Sequence, residues 1–239
     1  MAVSRNADAA GEIEILLAAN TPAKIPYSDT PLSQPGAKII YLTHDEFLRK
    51  FSCQYSESIH GNKNTLRECN ALLFKNWRCI MSPISAAEIR ERLEQPLDCL
   101  VVCKIDDRYV LITSRTIRAG TLVAFYAGEI KPVSKIKRLQ DNYHYDLTTP
   151  VMQECIYAAT PDTIGGLGRF MQHLPDKSPS DGNKDELADI VFTKPETKIA
   201  YENIDTLLVD YNGVPLILMY AKEDIEPGQQ LGYSFGQKY

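Results

Sequence analysis

Tryptophan is nearly missing from this chain of 239 residues, which holds one Trp against 13 Tyr and 7 Phe. Its aromatic surface therefore rests on tyrosine, whose flat apolar body ends in a polar tip. Such an excess lines a channel or covers a half-buried sheet, and composition alone does not choose. Also missing is any stretch near the ~18 to 20 consecutive apolar residues that a bilayer-spanning helix needs. Met1 to Asn20 has no basic stretch followed by an apolar core, so no secretory signal is expected. Positive charge is not in excess. The net charge is -5, which argues against a nucleic-acid backbone as the main ligand and suits a basic protein or peptide better. The six cysteines (Cys53, Cys69, Cys79, Cys99, Cys103 and Cys155) form no CxxC pair and have no histidine at zinc-finger spacing. No structural metal is expected; free thiols in a reducing compartment, cytoplasmic or nuclear, are. GxSxG, HExxH and the phosphate-cradling GxxxxGKS/T are absent as well, which removes the commonest hydrolase and nucleotide-loop signatures.

What is present suffices for a packed core: 44% of residues are hydrophobic and 24% charged, which excludes wholesale disorder. Residues 1–37 read as a flexible lead-in, punctuated by Pro22, Pro26, Pro31 and Pro35. A short helix near Ala9 to Ala19 has no obvious partner. Residues 38–96 read as a helical N-terminal region. Thr43-His-Asp-Glu46 and Ser85-Ala-Ala-Glu88 are capping-box patterns that start helices through Phe51 and Leu93, the second ended by Pro96. Between them, Thr65 to Trp77 places Leu66, Cys69, Leu72 and Leu73 at three- and four-residue spacing, the mark of an apolar helix face.

After Pro96 the period changes. Leu97–Lys104 and Tyr109–Ser114 flank Asp106-Asp107 as a hairpin. Further strands are expected at Thr121–Tyr126, Glu154–Ala159, Asp189–Thr193, Thr206–Tyr211 and Pro215–Ala221. Asn212-Gly213, between the last two, is a two-residue hairpin signal. The fold class is α+β, with residues 97–239 a mainly β domain. Gly165-Gly166-Leu167-Gly168 is glycine-rich but lacks dinucleotide-loop spacing. Lys131 to Arg138 is basic and the region 181–226 acidic, either a solvated face or a groove for a cationic partner.

Four ordered segments carry more information. The first is Ile117-Arg118-Ala119-Gly120 followed by Tyr126-Ala127-Gly128-Glu129-Ile130, and the second is Tyr143-His144-Tyr145-Asp146-Leu147. Third comes Arg169-Phe170-Met171-Gln172-His173-Leu174; the fourth runs from Asp224-Ile225-Glu226-Pro227-Gly228 to Tyr233-Ser234-Phe235-Gly236. In this order and spacing they resemble the SET domain of protein-lysine methyltransferases, over about residues 97–239. The resemblance implies a SET-like domain whose third and fourth segments thread as a pseudoknot. It implies S-adenosylmethionine on one side and a lysine of a basic protein, such as a histone tail of chromatin, entering an aromatic channel from the other. Neither direct nucleic-acid binding nor a membrane partner is expected. A private helical extension without zinc-binding tails suits a bacterial effector delivered into a host cell.

Carried onto this chain, the resemblance gives catalytic positions to Tyr126 (the YxG tyrosine), Tyr143, Tyr233 and Phe235. Tyr233 takes the place of the residue that limits how many methyl groups fit. Arg169, Phe170, Gln172 and His173 occupy the R-F-x-N-H segment that holds the cofactor. Arg108-Tyr109-Val110 stands where the family has the GxG that approaches the cofactor. Tyr239 remains as an adenine-stacking aromatic. Three departures stand out: both GxG glycines are absent, Gln172 replaces asparagine, and Phe235 replaces the usual catalytic tyrosine. They keep a second reading open, a catalytically inactive SET-like protein-binding module.

Overall fold

The structure, a computed structural model, describes residues 24–32, 34–57, 59–74, 84–105, 108–136, 144–147, 155–173 and 202–233. The chain enters as β1 (Ile25–Ser28), wholly buried, and returns antiparallel as β2 (Ile40–Leu42). This strand lies inside the stretch expected as a flexible lead-in. Pro26 lies opposite Tyr41 of β2, and pairing with the next strand of that sheet covers only Tyr27 and Ser28. Thr43 then caps the helix His44–Phe51. Its side chain accepts from the Glu46 N–H, and the Glu46 carboxylate accepts from the Thr43 N–H at 2.7 Å, completing the expected box.

Two short strands follow, β3 (Gln54–Tyr55) and β4 (Ile59–His60). The helix Lys63–Phe74 starts earlier than its apolar face suggests and buries Leu66, Cys69 and Leu73; Trp77 lies outside the described residues. The helix Ala86–Glu94 starts where Ser85 Oγ accepts from the Glu88 N–H at 3.2 Å, and it turns Ile89 and Leu93 inward.

β5 (Leu100–Ile105) and β6 (Arg108–Thr113) form the expected antiparallel pair. Period-two alternation splits their side chains between two cores. Leu100, Val102 and Leu111 enter the main one; Val101, Cys103, Val110 and Ile112 form a second, beneath Leu32. β1 runs parallel to β5, giving the sheet order β2-β1-β5-β6. Burial pushes the Cys69 and Cys103 thiols up to about 12, so both are inert packing groups.

The rest of the chain is short strands: β7 (Leu122–Phe125), β8 (Gly128–Pro132), β9 (Tyr145–Leu147), β10 (Tyr157–Thr160) and β11 (Ile164–Gly165). A 3-10 turn, Leu167–Phe170, leads into β12 (Gln172–His173). The last three are β13 (Ile204–Tyr211), β14 (Val214–Ala221) and β15 (Gly232–Tyr233). They assemble as β4-β8-β10-β9, β13-β14-β7, β11-β3 and β12-β15. Asn212 and Gly213, at φ 54° and 83°, make the tight β13–β14 turn that the sequence announced. The strand expected at Asp189–Thr193 lies outside the described residues. With fifteen strands and three α-helices among the described residues, the fold is mainly β, as expected. No helix among them is long and apolar enough to cross a membrane.

Candidate active site

The four segments singled out in the sequence converge, starting with the first and the fourth. Ile117 and Ile225 exchange both backbone hydrogen bonds, at 2.9 and 2.8 Å. Asp224 accepts from the Ala119 N–H at 2.9 Å and from Arg118 Nη1 at 2.5 Å. Those two donors, the backbone N–H first, hold its carboxyl below the usual carboxylate range. Gly120 and Gly228, both at φ 81°, let each segment turn sharply beside that contact. The fourth segment then binds β6 through the Gly228 N–H to Thr113 O at 2.7 Å and the Leu231 N–H to Leu111 O at 2.8 Å.

The third segment joins the fourth directly. β12 and β15 pair in parallel, with Gln172 opposite Gly232 and His173 opposite Tyr233. The second segment enters through one ring. Tyr145, on β9, lies 5.4 Å from the Tyr126 ring and 6.3 Å from the Tyr233 ring, centroid to centroid. Tyr126 and Tyr233 are 3% and 5% exposed. Tyr145 Oη shares a 2.8 Å hydrogen bond with Thr206 Oγ1 on β13, which fixes the ring between its neighbours. Burial pushes the Tyr145 hydroxyl above its ordinary value, with the Thr206 hydrogen bond opposing. Three phenols side by side offer π-faces to a cation and hydroxyls that both donate and accept.

A second group of aromatic rings gathers around Tyr109 of β6. Tyr109 and Phe170, both expected to meet a cofactor, have ring centroids 6.5 Å apart. Phe51 stands 4.9 Å from each of them, and Phe47 stands 6.0 Å from Phe170. Phe170 is thus largely committed to the core, while Tyr109 and Arg169 stay partly exposed. The Arg169 guanidinium lies 5.5 Å from the Phe170 ring centroid. Arg108 is exposed at the start of β6. Strand alternation separates Tyr109 from the two positions where glycines were expected: Tyr109 packs toward the main core, and Val110 packs into the second one.

Tyr143, Phe235 and Tyr239 lie outside the described residues. The residue that sequence reasoning passed over is Tyr145. The signal was available: Tyr145 and Leu147 share one face of a strand, and Leu147 is a buried core residue. Glu57, buried against the Leu167–Phe170 turn, was passed over as well and carried no sequence signal.

The SET domain family model matches residues 108–236, more than half of the chain. The chain belongs to the SET domain family. No curated protein matches it. Among solved structures, ATXR5 in complex with mono-methylated histone H3.1 is similar over 80% of this chain and 84% of that one, at 18% identity and TM-score 0.55. The ATXR5 SET domain in complex with di-methylated histone H3 gives 17% identity and TM-score 0.54 over the same shares. The methyltransferase domain of human histone-lysine N-methyltransferase SETMAR is 21% identical over 61% of this chain and 47% of that one, with TM-score 0.43. For the two ATXR5 structures, at such identities, the likeness is one of fold. The SET match begins at Arg108, so β1 to β5 and all three described helices precede it.

Proposed function

We propose that this SET domain chain is an S-adenosylmethionine-dependent protein-lysine N-methyltransferase acting on a basic protein such as a histone tail. The observation that carries the reading is the convergence of all four segments, with Tyr145 standing between Tyr126 and Tyr233. Those rings are where a lysine side chain would enter. An ammonium must lose its proton before it can act as a nucleophile, and desolvation between apolar and phenolic walls lowers its pKa. The phenols then orient the amine, and most of the rate comes from that alignment. By the family resemblance, Tyr143 and Phe235 would act in the same methyl-transfer step, and Tyr233 would limit the space for methyl groups.

The donor set around Tyr109 and Arg169 suits the cofactor. The partly exposed Tyr109 ring offers a π-surface, and Arg169, partly exposed beside Phe170, offers a cation for a carboxylate. Arg169, the Gln172–His173 backbone, Tyr109 with Arg108, and Tyr239 would hold the group, with Phe170 supporting them from the core. When bound, S-adenosylmethionine supplies an electrophilic methyl group on a sulfonium. The net charge of -5 favours a basic substrate over an acidic one. Calorimetric titration with S-adenosylmethionine tests the reading: saturable binding is expected, and no heat at millimolar cofactor sinks it.

A second reading, a SET-like binding module without catalysis, is favoured by Phe235 and by Arg108 and Val110 at the glycine positions. Under it, Phe235→Tyr leaves methyl transfer at zero.

A further inference from the structure

The run Gly165-Gly166-Leu167-Gly168 matches no nucleotide-loop spacing, yet its glycines are tightly constrained. A Cβ on Gly166 would lie 2.6 Å from Glu57 Oε2 and 2.7 Å from the Ser56 carbonyl oxygen. On Gly168 it would lie 2.5 Å from the Phe125 carbonyl oxygen. These residues are bare because other chain segments press against them. The segment pressing on Gly166 comes from outside the SET match. β3 pairs in parallel with β11, Gln54 opposite Ile164 and Tyr55 opposite Gly165, and the Ser56 N–H continues the register to Gly165 O at 3.1 Å. The next residue is Glu57, 5% exposed. Its Oε1 accepts from the Leu167 N–H at 2.8 Å and from the Tyr55 hydroxyl at 2.6 Å.

Leu167 opens the 3-10 turn, so its N–H is one of those a helix start leaves without an internal acceptor. The same turn carries Arg169 and Phe170 and runs straight into β12. Glu57 therefore holds the first peptide of the segment on which the proposed cofactor contacts stand. A buried carboxyl is costly to keep, and here both donors meet on one oxygen. We propose that Glu57 is a positioning residue for the cofactor site: by accepting the Leu167 N–H it sets where residues 169–173 stand. This assignment makes residues 54–57 part of the functional unit, and its cofactor half rests on the function proposed above.

The test uses the full chain and two readouts, amide hydrogen exchange at Leu167 and calorimetric affinity for S-adenosylhomocysteine. Glu57→Ala is expected to lower Leu167 protection at least tenfold, with helix Lys63–Phe74 unchanged, and to weaken affinity at least tenfold. Glu57→Gln, which keeps an acceptor oxygen, is expected to stay within about threefold of the unsubstituted chain on both. Leu73→Ala, a core truncation in that helix, is expected to lower stability without moving the affinity. Should Glu57→Ala fail to fold, Glu57→Asp carries the same test, because its shorter side chain draws the carboxylate back from the Leu167 N–H. The proposal is overturned if the variant leaves both readouts unchanged, or if it lowers protection uniformly along the chain. If the unsubstituted chain does not bind S-adenosylhomocysteine, the cofactor reading fails, and exchange at Leu167 still decides the positioning.

Discussion

Tyr145 is held at its tip by Thr206 and flanked on its ring by Tyr126 and Tyr233, so one side chain couples β9, β13 and two other sequence segments. Tyr145→Phe is expected to cost about 1 kcal/mol in urea unfolding, the typical worth of one buried hydrogen bond. Thr206→Val should cost a similar amount, and the double variant little more than either, because both delete the same bond. A fully additive pair would show that the two hydroxyls do not share a bond. At position 235 the expectation runs the other way. By the resemblance, Phe235 takes the place of the family's tyrosine, and supplying one positioned hydroxyl with Phe235→Tyr is expected to raise methyl transfer by about 10²-fold. An unchanged rate would remove Phe235 from the proposed channel.

Among the elements, those written locally were legible and those written by distant partners were not. Thr43 and Ser85 declare their helices within four residues, and both helices start where the capping residues place them. Ser85→Ala is expected to lower unfolding stability by about 1 kcal/mol while leaving cofactor affinity untouched; a change in affinity would mean the helix Ala86–Glu94 does more than support β7. The Asn212-Gly213 turn was equally plain, because positive φ at two successive positions demands such residues. β1 was hidden. The prolines in and around it signal a loop, and the rungs Tyr27 to Val102 and Ser28 to Cys103 that make it a strand connect residues far apart in sequence. Tyr145 was legible and passed over: the motif drew attention to Tyr143, although the strand face Tyr145 shares with the buried Leu147 marked it as inward. Glu57 could not be read at all, since only the folded contact with Leu167 distinguishes it from a surface glutamate.

For the whole molecule, the N-terminal segment and the SET domain share one main core, from Ile25 to Tyr233. Their link through Glu57 has a pH signature. Burial raises the Glu57 carboxyl above its ordinary 4.5, with the Tyr55 and Leu167 hydrogen bonds opposing. A raised carboxyl stabilises the fold fully below that ordinary value and loses this contribution as pH rises through the folded value. Unfolding stability should therefore carry a declining component from pH 4.5 upward that Glu57→Gln abolishes; identical pH profiles for the two chains would refute it. The site was legible in its order and incomplete in its detail, because motif spacing names segments while packing names the residues that meet. The most direct test of the account is transfer of radiolabelled methyl from S-adenosylmethionine to core histones, run with the unsubstituted chain and with Phe235→Tyr. The account predicts label on lysine with the first and more with the second; no label with either would contradict it.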